Sequence, residues 1–149
     1  MSDTATASPP EPKGIGGWLI LPMLTTLVSP LLILRSILET FPSLETELSS
    51  GLRVFLIGEI AFNGALIIGW IFTAVQLFRH RRSFPKLFIA MLVVGFVGLL
   101  VDALIGVSVY AVQLGPDDYR DLGRSVIALL IWAPYMAQSK RVRNTFIEG

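Results

Sequence analysis

Four ionisable residues interrupt long apolar stretches of this 149-residue sequence: Arg35, Glu59, Asp102 and Arg124. Within hydrocarbon each such group costs about 2.5–3.5 kcal/mol on insertion scales, so each demands a partner, water or a task. Two are acids and two are bases, which permits two arrangements. In one, Arg35 pairs with Glu59 and Asp102 with Arg124, a network locking helices that have little hydrophobic reason to associate in lipid. In the other, a water-filled cavity lets Glu59 or Asp102 bind a proton or a cation. The arginines have a further option, snorkelling to the headgroups. Asn63 lies one turn from Glu59, and Glu59, Asn63, Trp70 and Thr73 fall on one helix side. Gly98, Asp102 and Gly106 recur at spacing four, with Gly95 and Tyr110 flanking them. Such a face admits a neighbouring backbone and points into a bundle or a dimer interface.

The segments that carry these residues have membrane length. Hydrophobic residues make up 53% and charged residues 15% of the chain, against roughly 25% charged in typical soluble domains. About 20 apolar residues span a hydrocarbon core of about 30 Å. Four helices are expected, over about 15–38, 54–78, 87–114 and 122–138. The last has a short uncharged stretch and is expected to extend into Lys140-Arg141-Val142-Arg143. Before them, residues 1–13 read as a disordered tail rich in Ser, Thr, Ala and Pro, and 147–149 as a C-terminal tail. The first apolar run is too long for a signal-peptide core and has no clear cleavage site, so it is read as a retained helix. Pro22 and Pro30 within it predict a bend, either a static kink or a hinge.

Orientation follows from the basic residues. With the N-terminus inside, Lys13, Arg79, Arg81, Arg82, Lys86, Lys140, Arg141 and Arg143 are cytoplasmic, eight of the twelve Lys and Arg. The outer loops hold only Arg53 and Arg120, while Glu39, Glu45, Glu47, Asp117, Asp118 and Asp121 lie there or at their edges. Both termini are therefore expected inside. Trp18, Trp132 and Tyr135 toward the inner side and Tyr110 and Tyr119 toward the outer form an aromatic belt. The basic loop from Arg79 to Lys86 suits anionic headgroups.

Several chemistries are excluded. Without cysteine there is no disulfide, thiolate site or thiol nucleophile. The single histidine, His80, is read as solvated; it leaves no haem pair, and no metal site is expected. Phosphate-loop, G-x-S-x-G, H-E-x-x-H and dinucleotide motifs are missing. A net charge of +1 gives no bulk attraction for nucleic acid. No cofactor is expected.

Three local patterns carry a resemblance. Gly14-Ile15-Gly16-Gly17-Trp18-Leu19-Ile20-Leu21-Pro22 opens the first helix, and Pro30-Leu31-Leu32 follows within it. The last helix closes with Trp132-Ala133-Pro134-Tyr135 and Ser139-Lys140-Arg141-Val142-Arg143-Asn144-Thr145-Phe146. Together these resemble the domain-of-unknown-function 2569 family, small bacterial inner-membrane proteins with four predicted helices. The resemblance implies an inner-membrane location and brings no activity. Its terminal patterns mark Gly17, Trp18, Ser139, Arg141, Val142, Thr145 and Phe146 as candidates for docking at the inner interface.

The sequence thus predicts an all-α integral membrane bundle of four helices in one domain over 14–146. Its role is expected to be non-enzymatic: an accessory, scaffold or sensor acting through packing with itself or a membrane partner. The alternative is a small proton- or cation-coupled transporter or channel using Glu59 or Asp102.

Overall fold

The computed structural model describes residues 14–45 and 48–147. The tail expected over 1–13, including Lys13, lies outside them, as do Glu47 and the last two residues of the expected C-terminal tail. The described residues are helical, with no strand among them. A 3-10 turn, Gly17–Leu19, leads into α1, Ile20–Thr40, and another, Phe41–Glu45, follows it. Then come α2, Ser50–Phe78, α3, Phe84–Tyr110, α4, Pro116–Gln138, and the short α5, Lys140–Thr145.

Local chemistry explains where these boundaries differ from expectation. Ser49 caps α2 by accepting from the Leu52 N–H at 3.3 Å, so the helix starts at Ser50 rather than near residue 54. Likewise, Gly115-Pro116-Asp117-Asp118 opens α4, which starts at Pro116 rather than near residue 122. Pro116 sits where a missing N–H costs nothing, and the Gly115 N–H donates to Asp118 Oδ2 at 2.7 Å. α3 stops at Tyr110, short of Leu114. Ala111 takes a left-handed conformation, φ 52°, and the Val112 N–H closes on the Gly106 carbonyl at 3.0 Å.

At the other end of α4 the expected continuation into Lys140–Arg143 is broken. Ser139 is extended, with ψ 124°, and the chain restarts as α5. Of the two prolines expected to bend α1, Pro22 lies in the first turn, where no helical bond is lost, and only Pro30 is interior.

α1 packs along α2 and α3 along α4, and the two hairpins meet more sparingly through α2 and α3. Among the described residues three helical segments are long and apolar enough to cross a membrane: Gly17–Glu45, Ser50–Phe78 and Phe84–Tyr110, with mean hydropathy 1.9, 1.9 and 2.7. α4 misses that mark because its first turns carry Asp117, Asp118, Arg120, Asp121 and Arg124. Its second half still exposes Ile127, Leu130 and Ile131. Large apolar side chains facing outward on every long helix need a hydrocarbon surrounding.

The tightly packed core lies at one end, where the chain enters α1, turns from α2 to α3 and finishes in α5; this is the terminal end. Leu19, Leu77, Phe84 and Phe88 are fully buried there, with Met136, Val142 and Phe146 nearly so. The opposite end, at the α1–α2 and α3–α4 connections, is the loop end.

Candidate functional site

The rings of Trp70, Phe88, Phe84 and Phe146 run as a chain through the terminal end, with successive centroids 5.8, 5.9 and 4.6 Å apart. Aromatic contacts of this kind are worth about 0.5–1.5 kcal/mol beyond burial. The two terminal sequence patterns meet here. The Gly14 N–H donates to Thr145 Oγ1 at 3.0 Å, and the Thr145 hydroxyl donates to the Arg141 carbonyl at 2.7 Å. The Arg141 guanidinium lies over Gly16 and Gly17; a Cβ on Gly16 would stand 2.8 Å from its Nη1. Gly17 adopts φ 56°, a conformation that favours glycine. From the α2–α3 turn, Arg82 Nε donates to the Ile147 carbonyl at 2.9 Å.

These contacts revise several expectations. Val142, Thr145 and Phe146 are buried within the protein, Thr145 against Gly14 of the N-terminal segment and Phe146 against Phe84 at the start of α3. His80, read as solvated, is only partly exposed: it is half-buried in a left-handed turn, φ 48°, with its ring 6.3 Å from that of Phe146. Of the candidates for docking or headgroup contact, Trp18 is 71% exposed, Arg79 and Arg82 are exposed, and Arg81 is half-buried.

Toward the loop end the bundle opens. A cavity of about 540 Å³ is lined by all four long helices, with Glu59, Asn63, Asp102 and Arg124 on its walls. Glu59 lies nine residues into α2 and Asp102 eight before the end of α3. At 1.5 Å per residue both are about 12–14 Å from their helix ends and so share one level. Among the described residues, Glu59, Asn63 and Asp102 make no hydrogen bond and no ion pair.

The cross-helix ion pairs therefore do not form. Arg35 donates to Glu39 at 2.7 Å, one turn away on its own helix, and both are exposed. Arg124 stands 3.7 Å from Asp121, three residues before it. Depth along a helix sets a residue's level but not the face it occupies, and Arg35 lies outside the cavity lining.

The helix 2 stripe does face inward: Trp70 and Thr73 are buried, and Asn63 lines the cavity. The glycine stripe divides. The site of a Gly98 Cβ is filled by the Phe62 ring of α2, whereas Gly95 borders open space. Gly106 meets Val112 at 3.8 Å, the returning end of its own helix. Two close approaches were absent from the sequence reading: Phe62 on Gly98, and Met91 on Gly69, whose Cβ would lie 2.7 Å from Sδ. Glycine opposite a large side chain at matching depth was the available signal. Tyr110, assigned to the belt, packs against Phe55 with centroids 5.4 Å apart.

A second hollow, about 470 Å³, lies between α2 and α3 alone. Glu59, Phe62, Gly98 and Asp102 border both spaces. The rest of its wall includes Val93, Val94, Val97 and Val101, all partly exposed on the outside of the bundle. Among the described residues no group of three or more histidines, cysteines or carboxylates gathers as a metal site.

Comparison with known proteins matches this scaffold to a family. The family model described as "Protein of unknown function (DUF2569)" covers residues 12–147. Inner membrane protein YdgK of Escherichia coli (strain K12) is 27% identical over 147 residues, spanning 91% of this chain and 95% of the relative. No solved structure matches the chain. With the match running from before the Gly14 contact to beyond Phe146, this chain belongs to the DUF2569 family.

Proposed function

We propose that this protein is a four-span inner-membrane protein with both termini in the cytoplasm, acting as a non-enzymatic sensor or accessory protein that receives a guest through its loop end. The hydrogen bond between Gly14 and Thr145 supports an even number of crossings, because it holds the beginning of α1 and the end of α5 on one side. With three apolar spans, that makes α4 the fourth. The basic residues at the terminal end, Arg79, Arg81, Arg82, Lys140, Arg141 and Arg143, support a cytoplasmic position for it. The inner-membrane character of YdgK supports the location.

One observation carries the sensor reading: the cavity reached by all four helices is closed at the terminal end by the interlocked aromatic core. A space open at one end and sealed at the other suits reception better than passage. The chain lacks cysteine, so single cysteines can be placed without background. Ala128→Cys, in the cavity wall, should react with a membrane-impermeant maleimide from the periplasmic side and not from the cytoplasmic side. Reaction from the cytoplasmic side alone would overturn both the orientation and the reading.

Reaction from both sides would instead favour proton- or cation-coupled transport, a second reading motivated by the unpaired Glu59 and Asp102. That reading requires Glu59→Gln or Asp102→Asn to fold normally and to abolish proton-linked flux in liposomes. Unchanged flux in both variants would exclude it.

A further inference from the structure

The hollow between α2 and α3 differs from the central cavity in what surrounds it. Its wall comes from these two helices alone, so it opens sideways, away from α1 and α4. Val97 is the middle residue of α3, thirteen from each end. The hollow therefore lies near the middle of the membrane in the topology proposed above. Asp102 is five residues nearer the loop end, about 8 Å along the axis. Glu59 shares that level on the facing helix.

The groove is thus graded. Valines and Phe62 line its deep part, while two carboxylates without ion-pair partners among the described residues stand on the way to the nearer interface. Neither neighbouring arginine compensates them, because Arg35 is engaged by Glu39 and Arg124 by Asp121. A lipid tail alone would fill the apolar part and leave the carboxylates facing hydrocarbon, which is costly. An anionic amphiphile would be repelled as soon as either carboxylate ionised. An organic cation with an apolar body satisfies both parts, and it would lie in the groove as amphiphiles lie in a leaflet.

We propose that the lateral α2–α3 groove binds an amphiphilic organic cation, such as a lipophilic amine or quaternary ammonium, drawn from the lipid and held by Glu59 and Asp102. Phe62, seated against Gly98 between the groove and the cavity, is the side chain that such a guest displaces to reach the interior. The inference deepens the sensor reading and rests on it by naming the class of guest.

The test uses the full chain purified in an uncharged detergent, with tetraphenylphosphonium as probe and tetraphenylborate as its shape-matched anion. Saturable binding of the phosphonium is expected, with the borate at least about tenfold weaker, since each carboxylate within a few ångströms contributes on the order of kilocalories at intermediate dielectric. Glu59→Gln and Asp102→Asn should each weaken phosphonium binding by about tenfold or more. Val97→Trp, which fills the deep part of the groove and leaves both carboxylates in place, should weaken it comparably and remains informative if the carboxamide variants fold poorly.

Equal binding of the two ions, or wild-type binding by Val97→Trp, would overturn the proposal. Failure here is separable from failure of the sensor reading. If Ala128→Cys still labels from the periplasmic side alone while phosphonium does not bind, the guest class is wrong and the one-sided cavity stands.

Discussion

At the terminal end, Leu77, Phe84 and Phe88 have no exposed surface, and three separate parts of the chain interlock through hydrogen bonds and stacked rings. Some turns away, toward the loop end, Glu59, Asn63 and Asp102 border open space with no protein partner among the described residues. The same α2 and α3 run through both regions. In lipid, transfer of apolar surface does little to hold helices together, because the tails are as apolar as leucine. Cohesion must come from shape fit and hydrogen bonds. The terminal end supplies both. Helices that are pinned at one end can stand apart at the other without dissociating, which lets the bundle keep a polar hollow at a depth where polar groups are otherwise excluded.

The largest expected effect breaks the pinned end. Phe84→Ala removes a ring that touches Phe88 and Phe146 and has no room to be replaced by solvent or lipid; a cost of about 3–5 kcal/mol is expected. Phe62→Ala makes the same chemical change beside the cavity and groove, where a lipid or detergent tail can take the ring's place, so about 1 kcal/mol or less is expected. Unfolding of both variants in the same detergent provides the comparison. Equal losses would mean that the two ends are not mechanically distinct.

A smaller effect sharpens which contacts do the pinning. Thr145→Val keeps the side chain's shape but removes the hydroxyl that accepts from the Gly14 N–H and donates to the Arg141 carbonyl. A loss of about 1–2 kcal/mol is expected. Hydrogen exchange should rise at Gly14 and along α5 while α3 near Asp102 keeps its protection. Faster exchange throughout would show that the clasp supports the whole bundle.

The apolar lengths of α1, α2 and α3 were legible because hydrophobicity and charge placement are one-dimensional properties, and so was the inward face of Asn63, Trp70 and Thr73, which follows from helical period. The contact between Gly14 and Thr145 was not, since it joins residues 131 apart in sequence. Both terminal patterns were visible and their mutual docking was not. The start of α4 was misread because proline and aspartate end helices in one position and begin them in another. The break at Ser139 has no glycine or proline at the site; beyond it Val142 and Phe146 are buried in the core, a tertiary contact that local sequence does not display.

The arginines offer the smallest effect and the most direct test of the open end. Had Arg35 neutralised Glu59, its removal would have left a carboxylate unpaired among helices, and stability would have fallen. Instead Arg35 reaches Glu39 in the open, where a charged pair one turn apart contributes little to stability. Arg35→Gln is therefore expected to leave the unfolding transition in detergent unchanged, and the Arg35→Gln, Glu59→Gln double variant should behave as the sum of the two single ones. Additivity would leave Glu59 free for a guest. Measurable coupling would instead mean that Arg35 and Glu59 sense one another, and that the loop end is held by charge after all.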